Sequence, residues 1–546
     1  MNDAKYRVIR VKGKEATYLY EDFSYWDKEK RYSTHKRRCI GKLDENGNEV
    51  YNKRYLSRDN AETDSAVTAG AEPSGRKTTV SETAMVGQGM LFGLAESRCG
   101  IRKPLEAAFG RETADGVLAL ARYAVSQGKS LSRAGDWLES HGMGALGLSS
   151  QRVSEVLAGL SPDRVNTFLG SWLKRNGKGE SCLFDITSIS TYGTRNTLAE
   201  WGYNRDRESL EQVNLALMTS VESGLPLWYT VLPGSMSDST VMEYVLGMLG
   251  KLGMPDFVFY GDRGFYSDAN IAMLRKNKVG YVIPVPSRVG WQKDVIAENR
   301  DKLVSPSNLI ECGDGTVVYG MTVARKDGSG RHRCHIYFDP ARKDKLVADF
   351  MRSLRQRRDE LVEGKPIEKY SDLYKKYFTV KEGKRKGRTV EYNDEAVRAY
   401  VNSDSCYWVL RSDRVKDART ALFNYRARND VELNFDDLKN TTDLRRMRNH
   451  NDRTIAGKIF VMFVALVLKC QLRKDVNKIP PKERKYWSEQ EFLDKVDSYS
   501  RVHFSGRYKD VHSTPTAAQR LIFDLMGLPY QFQGKMHNIN ATLKYD

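Results

Sequence analysis

The stretch from Tyr425 to Lys439, YRARNDVELNFDDLK, constrains this chain more than any other. Tyr425, Arg428, Glu432 and Lys439 stand at offsets of 3, 7 and 14 from the first residue, and at about 100° per residue these fall at roughly −60°, −20° and −40° on a helical wheel. One uninterrupted helix would carry all four on a narrow stripe. Ala427, Val431 and Leu438, with Phe435 at the edge, fall on the opposite side and give that helix an apolar face for docking on a core. A carboxylate between cations, with an aromatic ring above, suits a phosphodiester beside a metal ion. An ordinary amphipathic helix with a solvated face shows the same pattern, so the question is whether further carboxylates stand on strands.

Two do. CLFDITSIS reads as a strand with Asp185 inside it, and a carboxylate among apolar residues is costly without a partner such as a cation. Asp262 follows DFVFYG at a strand's carboxyl end, between Gly261 and Gly264, where a sharp turn can aim it into the crevice in which open α/β sheets bind ligands. With Glu432 they form three hard oxygen donors without His or Cys, the set expected for Mg²⁺ or Mn²⁺ and poor for zinc. Two such ions about 4 Å apart can activate a water or 3′ hydroxyl and stabilise the leaving oxygen of an in-line displacement. Asp436 lies one turn beyond Glu432 on the same stripe, so helix geometry leaves both open as the third ligand. Asp206, Glu208 and Asp238 lie in polar loop sequence, where solvated acids are ordinary. Arg428, through paired hydrogen bonds, and Lys439, as a point charge, are expected to hold DNA phosphates, with Tyr425 packing on or bonding to the backbone.

The 546 residues exceed one ordinary core, so several domains are expected. Lys and Arg number 88 against 70 for Asp and Glu, a net charge of +18 with a pI near 9.3, which favours a polyanionic partner, double-stranded DNA first. No membrane association is expected: the most apolar run, Ile459 to Leu468, is too short to span a bilayer, is flanked by Lys458 and Lys469, and reads as a buried helix. Seven scattered cysteines without a C-x-x-C pair fit a reduced, cytoplasmic chain, and His332, Cys334 and His335 lack a partner pair at zinc-finger spacing.

Along the chain, residues 1–56 read as a small β-rich module with an Asn46-Gly47 hairpin turn, and 57–85 as a linker. Residues 86–176 read as a helical, helix-turn-helix-like DNA-binding domain whose second helix exposes Gln151 and Arg152 toward base edges or phosphates. Residues 177–285 hold three consecutive strands followed by strand and helix alternation, the order of an RNase H-like α/β sheet. Residues 286–405 read as a charged insertion domain, 406–475 as the second part of the core, and 476–546 as a basic helical tail.

The signature at Tyr425, Arg428, Glu432 and Lys439, with two, three and six residues between its letters, together with FDIT around Asp185 and YGDRGF around Asp262, resembles DDE-type insertion-sequence transposases of the Tyr-Arg-Glu-Lys group. The resemblance covers about Ser181 to Cys470. It implies an RNase H-like core interrupted by an insertion domain, to which the 170 residues between Asp262 and Glu432 correspond. It favours Glu432 over Asp436 and makes Asp185, Asp262 and Glu432 the catalytic set for two Mg²⁺ or Mn²⁺ ions. It also implies recognition of terminal inverted repeats, a homodimeric paired-end complex on double-stranded DNA, end cleavage, and strand transfer into target DNA, in the nucleoid of a bacterial-type cell. A structure-selective nuclease on the same scaffold, or a non-catalytic DNA-binding derivative, are the competing functions.

Overall fold

A run of alternating and fully apolar strands in the middle of the chain builds one large sheet, around which the rest is arranged. The computed structural model describes residues 7–12, 17–27, 32–44, 49–52 and 81–537, the last span with short gaps at 178, 193–195, 203, 205, 207, 237, 254–255, 314, 329, 384–386, 442–443, 445, 448–451, 506–508 and 533–534. The chain divides into two units, residues 1–79 and 80–546.

In the first unit, β1 (Arg7–Lys12), β2 (Thr17–Asp27), β3 (Tyr32–Leu43) and β4 (Glu49–Tyr51) form an antiparallel meander in chain order, with Leu19 and Ile40 buried. The Asn46-Gly47 turn and residues 57–80 of the expected linker lie outside the described residues.

The second unit begins with β5 (Ser81–Met85), so the last residues of the expected linker are a strand. The large sheet contains β6 (Ser181–Thr191), β7 (Gln212–Ser220), β8 (Pro226–Pro233), β9 (Val258–Tyr260), β10 (Gly280–Pro284), β11 (Leu309–Glu311), β12 (Val317–Asp327), β13 (Gly330–Phe338), β16 (Tyr407–Ser412) and β17 (Arg446–Met447), the last paired in parallel with β6, while β14 (Phe378–Gly383) and β15 (Gly387–Tyr392) pair apart from it. β8, β7 and β6 are antiparallel neighbours, and β9 and β10 continue beside β6 in parallel. The sheet then runs through β16, β13, β12 and β11, all antiparallel. Residues 286–405 are therefore not one inserted body: β11 to β13 extend the main sheet, and a small separate core forms around Leu354, Leu361, Tyr374, Tyr377, Phe378 and Val390. Composition gives no sign of this, because the pairing of β13 with β16 joins strands far apart in sequence.

The helix Asp452–Asn477 is long and apolar enough to cross a membrane, yet 94% of its apolar window is buried within the protein. It packs against the helices Gly87–Cys99, Arg111–Gln127 and Ser150–Gly159, so residues 86–176 share one continuous core with the sheet. The helices Ala134–Ser140 and Ser150–Gly159 are joined by residues 141–149, a longer connection than the helix-turn-helix turn of about three or four residues. The last segment is not a helical tail. β18 (Ser500–Phe504) pairs with both β5 and β19 (Val511–His512), between the helices Glu489–Val496 and Ala517–Met526. The alternation of SRVHF suits a strand paired to the start of the unit, a non-local contact that local propensity does not display.

Candidate active site

The register of β6 and β9 brings the two strand carboxylates side by side. Leu183 pairs with Tyr260, and two residues further along each chain lie Asp185 and Asp262. Three aromatic rings fix this corner: Phe184 lies 5.5 Å from Phe259 and 5.4 Å from Phe265, and those two are 5.8 Å apart between ring centroids. A Cβ on Gly261 would come within 2.4 Å of the Phe259 ring, so glycine lets the chain leave β9 here and turn at once. Asp262 then caps the short helical turn Arg263–Phe265 by accepting from the Gly264 amide. Asp185 is buried, and its Oδ1 accepts from the Ile186 amide at 2.8 Å.

The third segment is not the single helix that the spacing suggests. One helix spans Ala418–Arg426, a second spans Arg428–Asp436 with Ala427 as the joint, and a π-helical turn follows over Asp437–Thr441. Val431, Phe435 and Leu438 are buried. The wider i→i+5 winding departs from about 100° per residue between Glu432 and Lys439. Lys439 instead donates to Asp206 at 2.7 Å. At the start of the turn, buried Asp437 accepts from Lys469 at 2.7 Å and from Arg473, both on the central helix.

Arg428 is the hub. Its Nη2 lies 3.2 Å from Asp185 Oδ2, 3.3 Å from Asp262 Oδ2 and 3.8 Å from Glu432 Oε1, so one guanidinium nitrogen faces carboxylates from three separate segments. Burial works against its charge, but Asp185 and Asp262 outweigh burial and hold the guanidinium above its ordinary pKa. Burial likewise raises the Tyr425 phenol, which bonds to Arg428. Asp436 is exposed and accepts from Asn440 at 2.6 Å. Gln151 and Arg152 lie far along the chain, exposed on the helix Ser150–Gly159, where both bond to Glu155 while Val153 and Leu157 turn inward.

Beside Asp262 and Arg428 opens a cleft of about 680 Å³, floored by Pro284, Val285, Trp408 and Leu422 and rimmed by Arg263, Arg288, Arg342 and Arg426. Arg288 and Arg342 come from the stretch read as an insertion and carry no motif, and Asp206 reads as a loop acid. Sequence offers no signal for these three.

The donor set suits a hard divalent cation, and the Arg428 nitrogen, a stand-in positive charge, marks the point on which the three carboxylates converge. No three acids among the described residues are gathered closely enough to hold an ion.

A mixed sheet carrying one acid within a strand and another just past the end of its neighbour, faced by a helix that brings a third, defines a mixed α/β protein built around a carboxylate site. The sequence profile of the Transposase DDE domain family matches residues 177–468, more than half of the chain, and the chain belongs to that family. No curated protein sequence matches it. Among solved structures it is similar to a piggyBac transposase synaptic complex with hairpin DNA, at 11% identity over 75% of this chain and 76% of that one, with a TM-score of 0.34.

Proposed function

We propose that this DDE transposase is of the insertion-sequence type with the Tyr-Arg-Glu-Lys signature, and that it cleaves terminal inverted repeats and joins the 3′ hydroxyls to target DNA. The observation that carries the reading is the convergence of Asp185, Asp262 and Glu432 on one nitrogen of Arg428. The strand order β8-β7-β6-β9-β10, with three antiparallel strands and then two parallel ones, supports an RNase H-like core. Asp185, Asp262 and Glu432 would hold two Mg²⁺ or Mn²⁺ ions, whose chemistry is activation of the attacking hydroxyl or water and stabilisation of the leaving oxygen. The aromatic corner keeps Asp185 and Asp262 in fixed relation. The cleft arginines hold the DNA strand by its phosphates, and the apolar floor keeps water from its inner wall. Two copies bridge the paired ends, and Gln151 and Arg152 on their exposed helix contact the repeat.

The test is a plasmid assay with element ends in Mg²⁺ or Mn²⁺. Wild type yields both cleaved ends and joined products, and Asp185→Asn, Asp262→Asn and Glu432→Gln each yield neither while still binding DNA. Cleavage without joining by wild type would make the chain a nuclease. Full cleavage by any of the three variants would remove that residue from the site.

A further inference from the structure

A single guanidinium nitrogen shared by three carboxylates is an unusual use of an arginine, because a paired carboxylate and arginine normally meet through two parallel bonds of about 2.7–2.9 Å. Arg428 Nη2 accepts longer distances, 3.2, 3.3 and 3.8 Å, and reaches all three acids at once. Its Nε is buried without a hydrogen-bond partner among the described residues, so the side chain gives up local satisfaction to hold this position. Only the Asp185 side chain is deeply enclosed, at 4% exposure, whereas Asp262 and Glu432 are 31% and 64% exposed. Without a cation between them the three would repel one another, and the charge of buried Asp185 would lose its cationic neighbour.

We propose that Arg428 is the resident cation of the metal-free site, displaced when a divalent ion arrives and received by a DNA phosphate in the adjoining cleft. The inference rests on the reading of Asp185, Asp262 and Glu432 as metal ligands. Mg²⁺ binds oxygen at about 2.0–2.1 Å, so an ion among these oxygens and a guanidinium nitrogen at the same point exclude one another. The two aspartates would close in by about 1 Å and Glu432 by about 2 Å as the ion replaces the nitrogen. The displaced side chain has a destination, because Arg428 also lines the cleft with Arg263, Arg288, Arg342 and Arg426. Five arginines facing two aspartates there, Asp262 and Asp339, favour an anion, and a phosphate offers Arg428 the bidentate pairing it lacks among the carboxylates. DNA thereby lowers the cost of moving Arg428, and metal and DNA bind with positive coupling, each raising affinity for the other by the same factor. Arg428 is a positioning residue in this account: before DNA arrives it keeps the acids gathered and denies the site a metal.

The experiment measures Mn²⁺ binding to the full-length chain by the loss of the free-ion electron paramagnetic resonance signal, with and without random-sequence duplex DNA. Without DNA, Arg428→Gln should bind Mn²⁺ about tenfold or more tighter than wild type, since the competing cation is gone. Adding DNA should tighten Mn²⁺ binding to wild type and leave Arg428→Gln little changed. Arg428→Lys, which keeps the charge on a shorter stem, should fall between the two, and it carries the test if the glutamine variant does not fold. Unchanged or weaker Mn²⁺ affinity of the variants without DNA, or equal DNA-induced tightening in all three proteins, overturns the proposal. Asp185→Asn separates the two readings: if it binds Mn²⁺ as wild type does, the assignment of the metal ligands has failed, whatever Arg428 does.

Discussion

Lys439 and Asp206 form a 2.7 Å ion pair that ties the π-helical turn after the Glu432 helix to the loop that follows β6. The lysine side chain is only 10% exposed and the aspartate 26%, so the charge that the signature offers to DNA is partly cancelled within the protein.

Removing the partner should release that charge. Asp206→Ala is expected to raise affinity for random duplex DNA and to steepen the dependence of log K on log salt by about one unit, and Lys439→Ala to do the reverse. Fluorescence anisotropy across a salt series measures both. Weaker binding by Asp206→Ala would mean that the pair places Lys439 for DNA instead of masking it.

Three carboxylates follow one another closely on this segment, and their surroundings separate them. Glu432 faces Arg428, Asp436 is exposed beside Asn440, and Asp437 is buried between Lys469 and Arg473. Asp436→Ala should leave cleavage and stability near wild type. Asp437→Ala takes a carboxylate from buried Lys469 and from Arg473, which keeps Glu489 at 3.0 Å, and should cost about 3 kcal/mol, the lower end for breaking a buried pair. It should lower the melting temperature by several degrees in calorimetry, with activity lost through unfolding. Loss of cleavage in a stable Asp436→Ala protein would make Asp436 the third acid.

The contrast among these acids shows where sequence is informative. Asp185 and Asp262 can be singled out because a carboxylate in an apolar strand, or just past its end, contradicts its neighbours, and the strand register then brings the two together. Helical spacing likewise places Arg428 and Glu432 on one face, where the 3.8 Å approach occurs. The same spacing does not foresee the joint at Ala427, the π-helical turn over Asp437–Thr441 or the pairing of Lys439 with Asp206, because each depends on contacts with distant parts of the chain. Asp206 and Arg288 reach the site from loops and Arg342 from the first turn of the helix Pro340–Val362, and nothing local distinguishes them from the chain's other charged residues.

The helical region docks on the central helix at a point where only backbone fits. A Cβ at Gly457 would lie 2.1 Å from the Leu157 carbonyl oxygen, at the crossing of Asp452–Asn477 with Ser150–Gly159. Gly457→Ala must push the helices apart and should destabilise by about 1–3 kcal/mol, the range for an overpacked core. Gly93, inside the helix Gly87–Cys99, has nothing within 4 Å of its would-be Cβ, so Gly93→Ala should be neutral or stabilise by up to about 1 kcal/mol. Urea denaturation distinguishes the two. Equal stability of both variants would mean that this crossing has slack to absorb a methyl group.

The entrance to the Asp185 strand carries a pH-dependent contact. Glu180, one residue before β6, is pushed up to about 7 from an ordinary 4.5, first by burial and then by its hydrogen bond to Glu222, whose own oxygens both accept from the Ser181 amide at 3.0 Å. Because the folded value lies above the unfolded one, the native state holds a proton that the unfolded chain has released at intermediate pH. The contribution to stability is fully present below about pH 4.5 and is lost as pH rises toward about 7. Glu180→Gln mimics the protonated form at every pH and should remove this slope. Relative to wild type, it should therefore gain stability between about pH 5 and about pH 8, measured as urea midpoints at the two values. A difference between the two proteins that stays constant across that interval would show that Glu180 does not hold the proton and that the contact with Glu222 is made by charged groups through water.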